Sequence, residues 1–254
     1  MGQCTNLSAP ISYSENVSQL AYIAGAVTAG FVGGLSSTFW APNKWLTCNI
    51  QHFAAGVVIA AVSLKVAPDA ARADAPPLLV LGGFALGGLL MIGVKWATLW
   101  IEEQQHRRKR KPWGLTIAAA VDTLIDGAII GAGFTAGKGL GAVLSVALGL
   151  ELLVLTLSVG ASFRDNKASR LTALAVTFGI SILLPIGALT GMVLLKGASS
   201  AVLAVVLSFG SAALLYLVTE ELLVETKLPE ETLMSTAMFF LGFLAIFAFV
   251  LQGE

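Results

Sequence analysis

Five carboxylates and one lysine sit inside stretches that are otherwise apolar: Asp122, Asp126, Glu151, Glu220, Glu221 and Lys65. An ionisable side chain at bilayer depth costs several kcal/mol, so it persists mainly where it faces a polar pathway or pairs with another charge. Asp122 and Asp126 are four residues apart; on a helix they stack on one face and present up to four oxygens to the same point. Two like charges held that close in a low dielectric cannot both stay ionised alone. Either a metal ion or Lys65 neutralises them, or one keeps a proton. Glu151, mid-way along the next apolar segment, would complete an oxygen-rich site, and Glu220 would add a fourth carboxylate if its segment closes around the same cavity. Glu221 is the lesser of its pair, since adjacent helical residues point about 100° apart. A static salt-bridge network with Lys65 is the alternative. Four carboxylates against one lysine do not balance, however, and the excess negative charge requires cations or protons.

His52 and His106 are the only histidines, one at the mouth of an apolar segment and one in a basic loop, so neither is expected at a midplane site. Cys4 and Cys48 lack CxxC spacing and suggest neither a disulfide framework nor a zinc knuckle. The ligands at depth are therefore hard oxygens, which suit Mg, Mn or Ca better than Zn or Cu. No lipidation is expected from the Met1-Gly2-Gln3-Cys4 start. No charged n-region precedes the first apolar run, so no cleavable signal peptide is expected either.

The elements that position these residues must be membrane helices. Apolar side chains make up 56% of the 254 residues and charged ones 12%, with a mean hydropathy of +0.84, which is outside the range of soluble domains. A bilayer core of about 30 Å needs roughly 20 apolar residues per helix. On that rule the chain divides into eight segments, about 18–40, 46–68, 77–101, 113–136, 140–163, 170–195, 199–223 and 231–252, with turn chemistry at Ala41-Pro42-Asn43-Lys44, Pro76-Pro77, Gly137-Lys138-Gly139 and Leu228-Pro229. The domain division is a polar tail over 1–17 and one transmembrane domain over 18–254. With the amino terminus outside, ten Lys and Arg fall in inner loops (Lys44, Arg107, Arg108, Lys109, Arg110, Lys111, Arg164, Lys167, Arg170, Lys227) and three in outer ones (Arg72, Lys138, Lys196). Both termini are then extracytoplasmic and loop 102–112 cytoplasmic. The basic run 107–111 reads as a topology signal rather than a nucleic-acid patch. Gly30/Gly34, Gly83/Gly87 and Gly127/Gly131 place small residues one turn apart for close helix packing. Pro185 predicts a kink, and Lys95 beside Trp96 and Trp100 an interfacial belt with a snorkelling lysine.

On these residues the chain resembles the ZIP (Zrt/Irt-like) family of divalent metal transporters. The likeness is carried by Phe53-Ala54-Ala55-Gly56-Val57 leading to Pro68-Asp69, by Asp126-Gly127-Ala128-Ile129-Ile130-Gly131, by Gly149-Leu150-Glu151, and by Leu214-Leu215-Tyr216 through Glu220-Glu221-Leu222. The resemblance implies an all-α bundle of eight helices in which helices one to three and six to eight are inverted repeats. It also implies a metal site on Asp122, Asp126, Glu151 and Glu220, and no enzyme chemistry. Where the family has His-Asn-x-x-(Asp/Glu)-Gly, this chain has Asp122-Thr123-Leu124-Ile125-Asp126-Gly127; where it has His-x-x-Pro, this chain has Lys65-Val66-Ala67-Pro68.

Two functions follow. The first is a secondary transporter of a small cation, foremost a divalent metal ion, with the acidic cluster as substrate site and Lys65 as a gate or counter-ion. The second is a ZIP-fold protein with a degenerate site that moves protons or an organic cation, or serves as a sensor or scaffold. The partners expected are the lipid bilayer and the small cation, with a homodimer left open and no nucleic acid. No tightly bound cofactor is expected; a divalent metal ion would be the substrate.

Overall fold

The structure, a computed structural model, describes residues 13–39, 44–106, 113–223 and 233–252. The expectations for Cys4, the basic run 107–111, Lys227 and the Leu228-Pro229 break lie outside them. The elements in order are α1 (Tyr13–Phe39), α2 (Lys44–Ala61), a π turn π1 (Val62–Val66), α3 (Ala67–Arg72), α4 (Pro77–His106), α5 (Trp113–Ala136), α6 (Lys138–Asp165), α7 (Arg170–Leu194), α8 (Ser200–Leu217), a second π turn π2 (Val218–Leu222) and α9 (Leu233–Gln252). They form eight spans long and apolar enough to cross a bilayer. The second span is α2, π1 and α3; the seventh is α8 and π2; each of the others is one helix. Every amide in such a segment must be satisfied within it, because lipid offers no hydrogen bonds. That requirement is why apolar runs of this length fold as helices. α1 already begins at Tyr13, inside the polar tail, and Gly137 alone links α5 to α6. Pro185 lies inside α7, which runs on unbroken to Leu194. Ser169 and Ser199 cap α7 and α8, their hydroxyls accepting from the amides of Thr172 and Val202.

The spans pair in a pattern with internal symmetry. The first packs along the fifth and the fourth along the sixth, while the second packs along the eighth and the third along the seventh. Exchanging one with six, two with seven, three with eight and four with five maps this pattern onto itself. Spans one and six, an odd and an even crossing, run in opposite directions, the relation expected of inverted repeats. Two four-helix groups result, spans 1, 4, 5 and 6 and spans 2, 3, 7 and 8. Their boundary is formed mainly by the second span against the fifth and the fourth against the seventh. The fifth span is the most enclosed, with 78% of its apolar stretch buried; the third and eighth, at 17% and 22%, present most of their surface to lipid.

Lipid is as apolar as leucine, so close van der Waals packing and interhelical hydrogen bonds must hold these pairs together. The glycines supply the approach. A Cβ on Gly127 would lie 2.2 Å from the Leu184 carbonyl oxygen, and one on Gly187 would lie 2.3 Å from that of Leu124. Gly56 and Gly242 make the same reciprocal contact between α2 and α9, and Gly83 and Gly87 let α4 meet the backbone of α8. Hydrogen bonds cross the same seams. Thr156 donates to the Gly30 carbonyl (2.8 Å), Ser208 to that of Val80 (2.6 Å) and Arg164 to that of Ser37 (2.7 Å).

Candidate functional site

The fourth and fifth spans, joined at Gly137, lie side by side and bring three carboxylates together near their middles. Asp122 and Asp126 project from one face of α5, as their four-residue spacing requires, and Glu151 meets them from α6. They are 7%, 5% and 3% exposed. Each offers a carboxylate oxygen, and the three oxygens lie within 4.8 Å of one another. Three points so spaced always share a centre within about 2.8 Å of each, close to the 2.3–2.6 Å of a Ca²⁺–oxygen bond and a modest contraction away from that of a smaller dication. Electrostatics points the same way. At about 5 Å and an effective dielectric of 20, each pair of ionised carboxylates repels by roughly 3 kcal/mol, hence about 10 kcal/mol for three. A cluster with that self-repulsion needs a multivalent cation, protons or a neighbouring ammonium to persist.

Each of the three residues has polar interactions, yet Oδ2 of Asp122 and Oε2 of Glu151 accept no hydrogen bond among the described residues. Leu148 and Leu152 precede and follow Glu151 in the buried core, and Thr123 turns its hydroxyl back to the Ala119 carbonyl (2.7 Å), away from ligand duty.

Glu220 does not belong to this group. It sits on π2 and forms an ion pair with Lys95 of α4, each side chain more than a third exposed. Depth accounts for the separation: Glu220 lies at the end of its span, whereas the aspartates and Glu151 lie near the middle of theirs. Lys95, expected to snorkel toward head groups, is held by this carboxylate instead. Sequence reasoning had no signal for that partnership, because it depends on the third span packing along the seventh. Lys65 lies half-buried on π1 and has polar interactions of its own. Its neighbour Leu64 packs on the cluster that joins Val57, Ala60 and Ala61 of α2 to Val143 and Ala147 of α6. His52 is half-buried. Its Nδ1 lies 2.9 Å from the Cys48 carbonyl oxygen and 3.6 Å from the Cys48 thiol, which in turn lies 3.5 Å from the Ser235 hydroxyl. This small network pins α2 to α9.

A family model described as "ZIP Zinc transporter" matches residues 97–250, more than half of the chain. The match covers Asp122, Asp126, Glu151 and Glu220, while Lys65 precedes it. No curated protein matches the sequence.

Proposed function

From the premise that this chain belongs to the ZIP zinc transporter family, a family of membrane metal transporters, we propose that Asp122, Asp126 and Glu151 are its substrate site and that the substrate is a hard divalent cation. The observation that carries this reading is three buried carboxylate oxygens within 4.8 Å of one another, with no histidine or cysteine among them. Such a donor set favours Mn²⁺, Mg²⁺ or Ca²⁺ over Zn²⁺. Alternating access follows if the two four-helix groups shift relative to each other, the site moving with the group that holds α5 and α6. Glu220, occupied by Lys95, is a separate carboxylate rather than a fourth ligand of the resting site. The test is uptake by purified protein in liposomes, offered Mn²⁺, Mg²⁺, Ca²⁺, Zn²⁺, protons and polyamines in turn. We expect uptake of the hard dications. Proton or polyamine flux without divalent uptake would overturn the metal reading, and a preference for Zn²⁺ over Mn²⁺ would overturn the ligand argument.

Lys65 acts in this reading as a tethered counter-ion that holds the carboxylates when no substrate is bound. Its half-buried place on π1, beside the contact of α2 with α6, supports that role. Replacing it by Met keeps the apolar stem and removes only the charge. Lys65→Met should tighten Mn²⁺ binding by roughly tenfold or more, since an ammonium within several ångströms of a dication repels it by more than 1 kcal/mol. An unchanged Mn²⁺ dissociation constant would make Lys65 an ordinary polar residue of the span.

The orientation proposed is that of the loop charges, with both termini outside and loop 102–112 in the cytoplasm, and the unit of function is the single bundle 18–254. A cysteine introduced near His106, in a background lacking Cys4 and Cys48, should resist an impermeant reagent in intact cells and react after permeabilisation. Labelling in intact cells would reverse the orientation.

A further inference from the structure

The second and seventh spans depart from α geometry at matching places. In π1 the amide of Ala67 reaches back five residues to the Val62 carbonyl, and in π2 the amide of Leu223 reaches back five to that of Val218. The segments read Val62-Ser63-Leu64-Lys65-Val66 and Val218-Thr219-Glu220-Glu221-Leu222, so a valine and a hydroxyl residue open both. Widening a helical turn takes one carbonyl away from its usual amide, and lipid holds no water to replace it. Ser63 and Thr219 place a hydroxyl donor at the second position of each turn. The Ser63 hydroxyl donates to the Ile59 carbonyl, and the Thr219 hydroxyl donates to those of Leu215 and Tyr216, both at 3.0 Å. Pro68 could disturb the second span by itself, but the described part of the seventh has no proline. What the two turns share is the hydroxyl.

Placement follows the same symmetry. π1 comes after α2 has crossed away from the side of loop 107–111, whereas π2 ends α8 on that side, so one π turn lies toward each face of the bilayer. Each packs against the main helix of the other repeat, π1 on α8 and π2 on α2. A π turn inside a span, as π1 is, is rare, and such turns concentrate at functional sites; π2 closes α8 just before the last described residue of its span. We infer that these two form a matched pair of flexure points, one at each mouth of the carrier, and that Ser63 and Thr219 are positioning residues for translocation. A turn that relaxes from π to α shifts everything beyond it by one residue, a rotation of about 100° and a rise of about 1.5 Å. In the second span that motion carries α3, and in the seventh it re-aims Glu220. This inference rests on the reading of the chain as an alternating-access carrier, but not on the identity of the ion.

Two measurements test it. Ser63→Ala and Thr219→Val should each lower Mn²⁺ turnover in liposomes roughly tenfold while the Mn²⁺ dissociation constant stays within about twofold, because a lost hydrogen bond acts on the motion and not on the carboxylates. Thr190→Val removes a hydroxyl with the same back-bond, to Ile186, from an exposed position in an unbroken helix, and should leave turnover unchanged. Turnover within twofold of the parent in both π-turn variants would overturn the inference. Where a variant does not fold, or the parent moves no Mn²⁺, amide hydrogen exchange of the unmodified protein in lipid nanodiscs decides. Amides in 62–66 and 218–222 should exchange roughly tenfold faster than those one turn to either side; uniform protection along both spans would overturn it. Loss of Mn²⁺ uptake by the parent with fast exchange at both π turns would instead count against the substrate site alone.

Discussion

Asp126→Asn should leave the bundle folded and lower divalent uptake by roughly a hundredfold, since losing one ionic ligand of a buried dication removes about 3 kcal/mol of binding. Asparagine matches aspartate in size and polarity, so the packing of α5 against α6 and α7 is undisturbed. It also removes one of three charges that repel one another when the site is empty, so the thermal midpoint of the metal-free protein should hold or rise. The combination is diagnostic. A residue that served packing would lose stability when changed, whereas a ligand held against its neighbours' charge loses function and gains stability. Uptake equal to the parent's would remove Asp126, and with it the carboxylate cluster, from the transport mechanism.

Gly127→Val, one residue along, should do the opposite. A Cβ there lies 2.2 Å from the Leu184 carbonyl oxygen, 2.9 Å from the Ala188 amide nitrogen and 2.9 Å from the Gly187 Cα, all backbone atoms that cannot turn aside as a side chain would. α5 and α7 must separate by an ångström or more, and overpacking of this kind costs typically 1–3 kcal/mol, with backbone-on-backbone contact at or beyond the upper end. In lipid no hydrophobic gain offsets that loss, because the surfaces that part are merely covered by acyl chains. The variant should be poorly recovered in monodisperse form and should lose Mn²⁺ binding along with its fold. A stable, well-folded Gly127→Val protein would mean that the fourth and sixth spans do not pack backbone to backbone at this position.

Asp126 and Gly127 are both legible in the sequence, each for its own physical reason. The eight spans were legible because about 20 apolar residues in a row have one stable form in a bilayer, and the glycine pairs because small residues one turn apart have few other uses there. The conjunction of Asp122 with Asp126 follows from helical periodicity. Glu151 joining them needed only matching depth on the next helix, which a one-residue link at Gly137 enforces. Glu220 was harder to place. Its distance from the group and its pairing with Lys95 depend on which span lies beside the seventh, a fact of tertiary packing that no local pattern records. The π turns were illegible for another reason. A single widened turn changes no composition and no period, and Ser63 and Thr219 look like ordinary polar residues until their carbonyl partners are seen. His52, near a span end, is half-buried beside Cys48.

Anomalous X-ray scattering from crystals of the protein soaked in Mn²⁺ tests the central proposal most directly, because the ion is located without reference to activity. The expected result is one strong peak between α5 and α6, within about 2.8 Å of carboxylate oxygens from Asp122, Asp126 and Glu151, and no such peak in Asp126→Asn. A peak bound elsewhere in the bundle, with the three carboxylates closed around the ammonium of Lys65, would contradict it.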